Sequence, residues 1–136
     1  PVHWAAKNML VLGIIIVCGL AIHFYHFWYN MMFAELVEME GQFGPAEGFN
    51  WITYQFSCPI TVGIYVVWFA ALWYHLTHGI WSSMQTLGWN GKVWLNRWIC
   101  ISYVWATIIV LGFVAVMLAA MFATPGCGAA ACCGAC

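Results

Sequence analysis

Apolar residues gather along this chain into three long runs, 8–34, 60–85 and 93–122, with polar residues collected between them. Each run exceeds the roughly 20 residues that a helix rising about 1.5 Å per residue needs to cross a hydrocarbon core of about 30 Å. The first connection, 35–58, holds Glu35, Glu38, Glu40 and Glu47 with Gly41, Gly44, Pro45 and Gly48 as turn formers. It reads as an acidic loop with room for one short surface helix. The second connection, Gly88-Trp89-Asn90-Gly91-Lys92, is short, and its Asn-Gly step marks a tight turn. The second and third helices are therefore expected to form an antiparallel hairpin. The fold class that follows is all-α, a transmembrane helical bundle with three spans in a single membrane domain over 1–136.

Composition fixes the solvent. Of the 136 residues 65% are hydrophobic and 5% charged, with a mean hydropathy of +0.89, so three Lys/Arg and four Glu cannot coat a water-facing surface. The chain belongs in a bilayer. Its net charge of −1 provides no basic field for nucleic acid. Little chain remains outside the runs, so any enzymatic half of the system is expected on another polypeptide. The first run is too long for the apolar core of a signal peptide and no small-residue cleavage site follows it, so it is expected to be retained as a span. The opening at Pro1 reads as the start of a fragment of a longer protein.

The charges give an orientation. Lys7 precedes the first span, and Lys92 and Arg97 lie where the second meets the third, so with three spans every cation falls on one side and every acid on the other. Cytoplasmic flanks collect Lys and Arg, which places that side in the cytoplasm, or in the matrix of an organelle. Trp4, Trp28, Trp51, Trp81, Trp89, Trp94 and Trp98 fall near the expected helix ends, as interfacial aromatics do.

Four histidines sit inside the spans, where an ionisable or metal-binding side chain is costly and marks a candidate site. His23 and His26 form one pair and His75 and His78 another, each spaced to share a helix face. The plain alternative is a set of neutral imidazoles bonded to neighbouring carbonyls or hydroxyls. Depth separates the uses. His23 lies 15 residues past Asn8, about 22 Å from the cytoplasmic edge, and His75 lies 15 residues past Ile60 on a helix running back, about 8 Å from that edge. One iron held from both faces needs ring nitrogens about 4 Å apart, whereas these differ in depth by about 15 Å. Two redox centres stacked across the bilayer are expected, each taking one ligand from this chain and one from helices outside it. Gly79 directly after His78 leaves space for a flat macrocycle or for close helix packing. Ser82, Ser83, Gln85 and Thr86 follow at the cytoplasmic interface, either as donors to haem propionates or as ordinary helix-end residues.

The string Tyr74-His75-Leu76-Thr77-His78-Gly79-Ile80-Trp81-Ser82-Ser83, with Gln85-Thr86-Leu87-Gly88 behind it, resembles the fourth helix of the five-helix, di-haem cytochrome b membrane anchors of succinate dehydrogenase and fumarate reductase. Ile22-His23-Phe24-Tyr25-His26-Phe27-Trp28 resembles the third helix, and 93–122 would be the fifth. The resemblance covers roughly residues 7–122. It implies two haem b groups, with His75 an axial ligand to the cytoplasmic-side haem iron and His23 to the outer-side one. His26, His78, Gly79, Ser82 and Gln85 would then be haem neighbours. It also implies a quinone, menaquinone by preference, and iron–sulfur and flavoprotein partner subunits in a bacterial inner membrane or, alternatively, a mitochondrial one. None of the dicarboxylate chemistry is encoded here, and the first two anchor helices would come from another chain or from missing sequence. Trp73 stands where some members carry a membrane-embedded Glu, so that proton role is not carried over.

Cys18, Cys58 and Cys100 lie in or beside the spans and are expected to be inert buried thiols. The tail after Thr124 matches nothing in that family, and its Cys127, Cys132, Cys133 and Cys136 fall on the outer, oxidising side, which favours disulfides over a metal site. Two other functions fit the same residues. One is a haem b quinone-reactive subunit of a formate, hydrogen or nitrate complex; the other is a haem-free structural anchor.

Overall fold

The computed structural model of the chain describes residues 4–33, 36, 37, 48–89 and 91–123. The four Glu residues, Asn90 and the Cys-rich tail lie outside the described residues. Every element among those described is helical. After a single turn at Trp4–Lys7, α1 runs Met9–Phe33, α2 Gly48–Phe56, α3 Pro59–Thr86 and α4 Lys92–Ala123. The helices α1, α3 and α4 are long and apolar enough to cross a membrane. Apolar residues run all round α1 and α4, and one face of each is exposed, with Leu10, Ile14 and Val17 on α1 and Val104, Ile108 and Leu111 on α4. A helix apolar all round is one whose outer surface meets lipid. The short helix allowed for in the first connection is α2.

Winding changes within α1. Met9–His23 is α-helical and Phe24–Phe33 is a π-helix, along which the Asn30 side chain donates from Nδ2 to the Tyr25 carbonyl at 2.9 Å. The sequence there is crowded with rings. Phe24 stacks on Trp28, Tyr25 on Tyr29 and Tyr29 on Phe33 at centroid distances of 4.7, 5.5 and 5.4 Å. A wider turn brings residues four apart closer to register, which suits such ladders, and π segments are rare enough to mark functional stretches.

Two compact units divide the described chain. The first joins residues through Ile16 to Val67–Val114. Here α3 and α4 pair antiparallel: Phe69 stacks on Phe113 at 5.6 Å, and the Trp73 indole N–H donates to Thr107 Oγ1 at 3.1 Å. Their connection is a Schellman cap, with Trp89 N–H bonded to Met84 O and Gly88 N–H to Gln85 O. Gly88 takes the left-handed position at φ +85°, so the glycine that makes the turn is this one. The start of α1 also runs antiparallel to α3, with Trp68 Nε1 donating to Ile16 O at 3.1 Å and Trp4 edge-on to Tyr74. Small Ser102 and Ala106, one turn apart, are wholly buried in this unit, as helices that approach closely in lipid require.

The second unit comprises Val17–Val66 and the described residues from Ala115 onward. Trp51 and Phe56 of α2 are buried in it, and Phe56 meets Phe27 at 6.4 Å and Tyr65 edge-on at 5.1 Å. Pro59 opens α3, a position where its missing N–H costs nothing, and Val62 N–H closes the first turn onto Cys58 O.

The cysteine expectation needs correcting. Cys58 is disulfide-bonded rather than an inert thiol, consistent with its place at the loop edge of α3. Cys18 and Cys100 are free but exposed rather than buried, because three helices bury little of their own surface.

Candidate functional site

His75 and His78 lie in the first unit, His23 and His26 in the second. His75 projects from α3 beside α1. Its Cε1 is 3.8 Å from where a methyl group at Gly13 would stand, and its Cδ2 is 4.0 Å from the same point at Gly79. A glycine thus flanks the ring on the facing helix and another on its own helix one turn later. The Nδ1 atom of His75 is buried and has no hydrogen-bond partner. Leaving such an atom unsatisfied costs about 1–3 kcal/mol, so it marks a position that asks for an occupant.

His78 stands edge-on to Trp81 at 4.8 Å and lines a cavity of about 320 Å³ together with Trp73, Thr77 and Tyr103. Gly79 does not open onto empty space. A methyl there would meet Met9 Cε at 3.4 Å, so its surface is used to pack α1 against α3. Ser83 and Thr86 return their hydroxyls to the helix, onto Ile80 O and Ser82 O, while Ser82 and Gln85 are half-buried in the last turns of α3. Trp73, at the position discussed for proton transfer, ties α3 to Thr107 of α4.

In the second unit His23 packs on Phe27 at 4.9 Å and meets Tyr65 edge-on at 6.2 Å. His26 lies face-to-face with the same Tyr65 at 6.3 Å. Gln55 Nε2 lies 3.0 Å from His26 Nδ1, and Trp51 Nε1 donates to His26 O at 2.7 Å. Both bonds come from α2, so the short helix holds the π-helical stretch of α1 through its histidine. With the Gln amide donating, Nδ1 accepts and the ring proton rests on Nε2. Tyr65, 3% exposed, is the ring that both histidines share.

Among the described residues no three His, Cys, Asp or Glu gather into a metal-binding group. A haem iron asks less of one chain, a single imidazole per side. His75, with its unpartnered Nδ1, and His23, packed on Phe27, each supply one such donor by their chemistry, while the faces of Gly13 and Gly79 are taken up by His75 and Met9.

Tyr65, Gln55 and Gly13 were not legible as site residues in the sequence, and Trp51 stood out only as an interfacial aromatic. Tyr65 carries a hydroxyl six residues into a span, the same signal of a polar group in lipid that drew attention to the histidines. Gln55 and Trp51 gave no such signal, since a helix 29 and 25 residues away in sequence brings them to His26. Comparison with protein-family models, curated proteins and solved structures found no match for this chain.

Proposed function

We propose that the chain is the haem-binding, electron-transfer part of a membrane anchor that connects a membrane quinone to the iron–sulfur subunit of a succinate dehydrogenase or fumarate reductase. The observation that carries this reading is the buried, unpartnered Nδ1 of His75 between Gly13 and Gly79, inside a helix long and apolar enough to span a bilayer. A buried imidazole nitrogen left in lipid without a hydrogen bond is better explained by a bound group than by packing.

His75 would hold one haem b near the cytoplasmic face, and His23 would hold a second near the outer face. The other ligand of each comes from helices outside this chain. Bound there, haem b supplies a one-electron carrier. This chain's residues would hold and orient it: Ser82 and Gln85 at the end of α3 would offer hydrogen-bonding groups to its carboxylates, while Tyr65 and Phe27 wall His23. Lys7, Lys92 and Arg97 mark the cytoplasmic side, toward which the iron–sulfur and flavoprotein subunits dock.

A haem-free structural anchor is favoured by two specific contacts. Met9 packs onto Gly79, and Gln55 satisfies His26 without any cofactor. A reduced-minus-oxidised spectrum of the purified membrane complex decides between the two. A b-type absorbance that falls in His75→Ala supports the haem reading, and its absence in the native complex overturns it. With that absorbance present, co-purifying soluble chains of formate, hydrogen or nitrate type would replace the dicarboxylate assignment.

A further inference from the structure

We propose that the tryptophan-walled cavity at the α3–α4 turn binds the head group of an anionic phospholipid from the leaflet that this turn faces. The proposal stands on the bilayer placement of the spans and is independent of the haem reading. The cavity, about 470 Å³, lies within the first unit, between the two turn glycines and the rings of Trp89, Trp94 and Trp98. Trp98 lies 5.9 Å from Trp89 and 6.3 Å from Trp94, ring centre to ring centre, so the three rings adjoin. One span has ended here and the next begins, which is the depth of lipid phosphates and ester carbonyls rather than of acyl chains. The volume falls in the range of about 300–1,000 Å³ typical of small-molecule sites, room enough for a phosphoglycerol group.

Charge and hydrogen-bonding polarity select the occupant. The Arg97 guanidinium lies over the Trp94 ring, 5.2 Å from its centre, and Lys92 is the exposed first residue of α4. No acidic side chain lines the cavity. The N-terminal end of α4, the positive end of its helix dipole, opens from the same turn. Indole N–H groups donate and accept nothing, and that of Trp98 is buried without an acceptor. Every polar side chain named here is thus a donor, which calls for a ligand that only accepts, a phosphate with its ester oxygens. An ammonium head group fails this test, because Arg97 already covers the face of Trp94 with a positive charge. A guanidinium stacked on a ring can still offer its N–H edge to two phosphate oxygens. Each basic residue near the bilayer surface favours an anionic lipid by about fivefold, so Lys92 and Arg97 together favour it by about 25-fold.

The test uses the intact, purified membrane complex in phosphatidylcholine nanodiscs doped with a phosphatidylglycerol that carries a diazirine on its head group, followed by mapping of the labelled peptides. The expected label falls on residues 88–98 and is removed by excess plain phosphatidylglycerol, but not by added phosphatidylcholine or by free glycerol phosphate. Labelling drops about fivefold in Arg97→Gln and about 25-fold when Lys92→Gln is added to it. Arg97→Lys, which keeps the charge, retains most of the label. Label elsewhere in the chain, competition by phosphatidylcholine, native labelling in the double variant, or a loss in Arg97→Lys equal to that in Arg97→Gln overturns the proposal. Competition by free glycerol phosphate as strong as by the lipid also overturns it, since the site would then take a soluble anion. The b-type spectrum reports separately: its absence overturns the haem reading and leaves this labelling expected.

Discussion

Enlarging residue 13 tests whether His75 matters where it lies. A methyl at Gly13 would stand 3.8 Å from His75 Cε1, an ordinary van der Waals separation. Gly13→Ala should therefore be accepted, and an interior helix position gains up to about 1 kcal/mol on replacing Gly by Ala. Gly13→Leu adds three carbons, reaching two further C–C bonds of about 1.5 Å each into a gap that the methyl already fills. Either the imidazole turns away or α1 and α3 move apart. Overpacking of this kind costs about 1–3 kcal/mol. Charged against a cofactor held by His75, that is a loss of affinity of about 5- to 150-fold, at about 1.4 kcal/mol per factor of ten. The assay is the reduced-minus-oxidised absorbance per mole of purified complex, followed through dilution and detergent washing. Gly13→Ala should keep the native value, and Gly13→Leu should lose most of one b-type component. Full retention of both components in Gly13→Leu would refute the claim that this ring holds an iron.

Other contacts make narrower predictions. Gly88→Ala forces a side chain into a left-handed position at φ +85° and should cost about 1–2 kcal/mol, read as a lower unfolding temperature of the solubilised complex. A double-mutant cycle of Trp73→Phe and Thr107→Val should return a coupling near 0.6 and no more than about 1.7 kcal/mol, the range for hydrogen bonds between spans. Gln55→Leu strips His26 Nδ1 of its partner and should destabilise by about 1–3 kcal/mol, read as a lower unfolding temperature.

The spans were legible because hydropathy over 20 or more residues is a sum that local detail cannot mask. Each of the three helices begins and ends within a residue of the run that announced it. The hairpin of α3 and α4 followed from a connection too short for anything else. The residue that turns it was not legible, since Asn-Gly is the stronger local signal and the cap formed one step earlier, at Gly88. The π winding of Phe24–Phe33, a stretch with rings stacked four residues apart, leaves no mark in an apolar/polar pattern. The histidines stood out because polar groups in lipid are rare. Their surroundings did not: Gly13 beside His75, Met9 on Gly79 and Gln55 at His26 are contacts between segments far apart in sequence, which no local rule pairs. Cys58 shows the same limit, because its bonding depends on what the fold brings to it.

The central claim is that His23 and His75 serve two different irons. It is tested most directly by redox titration of the b-type absorbance in the purified native complex and in its His23→Ala and His75→Ala variants. The account predicts two components in the native complex, with one lost in each variant and the other kept. Loss of the same component in both variants, or no b-type component in the native complex, would contradict it.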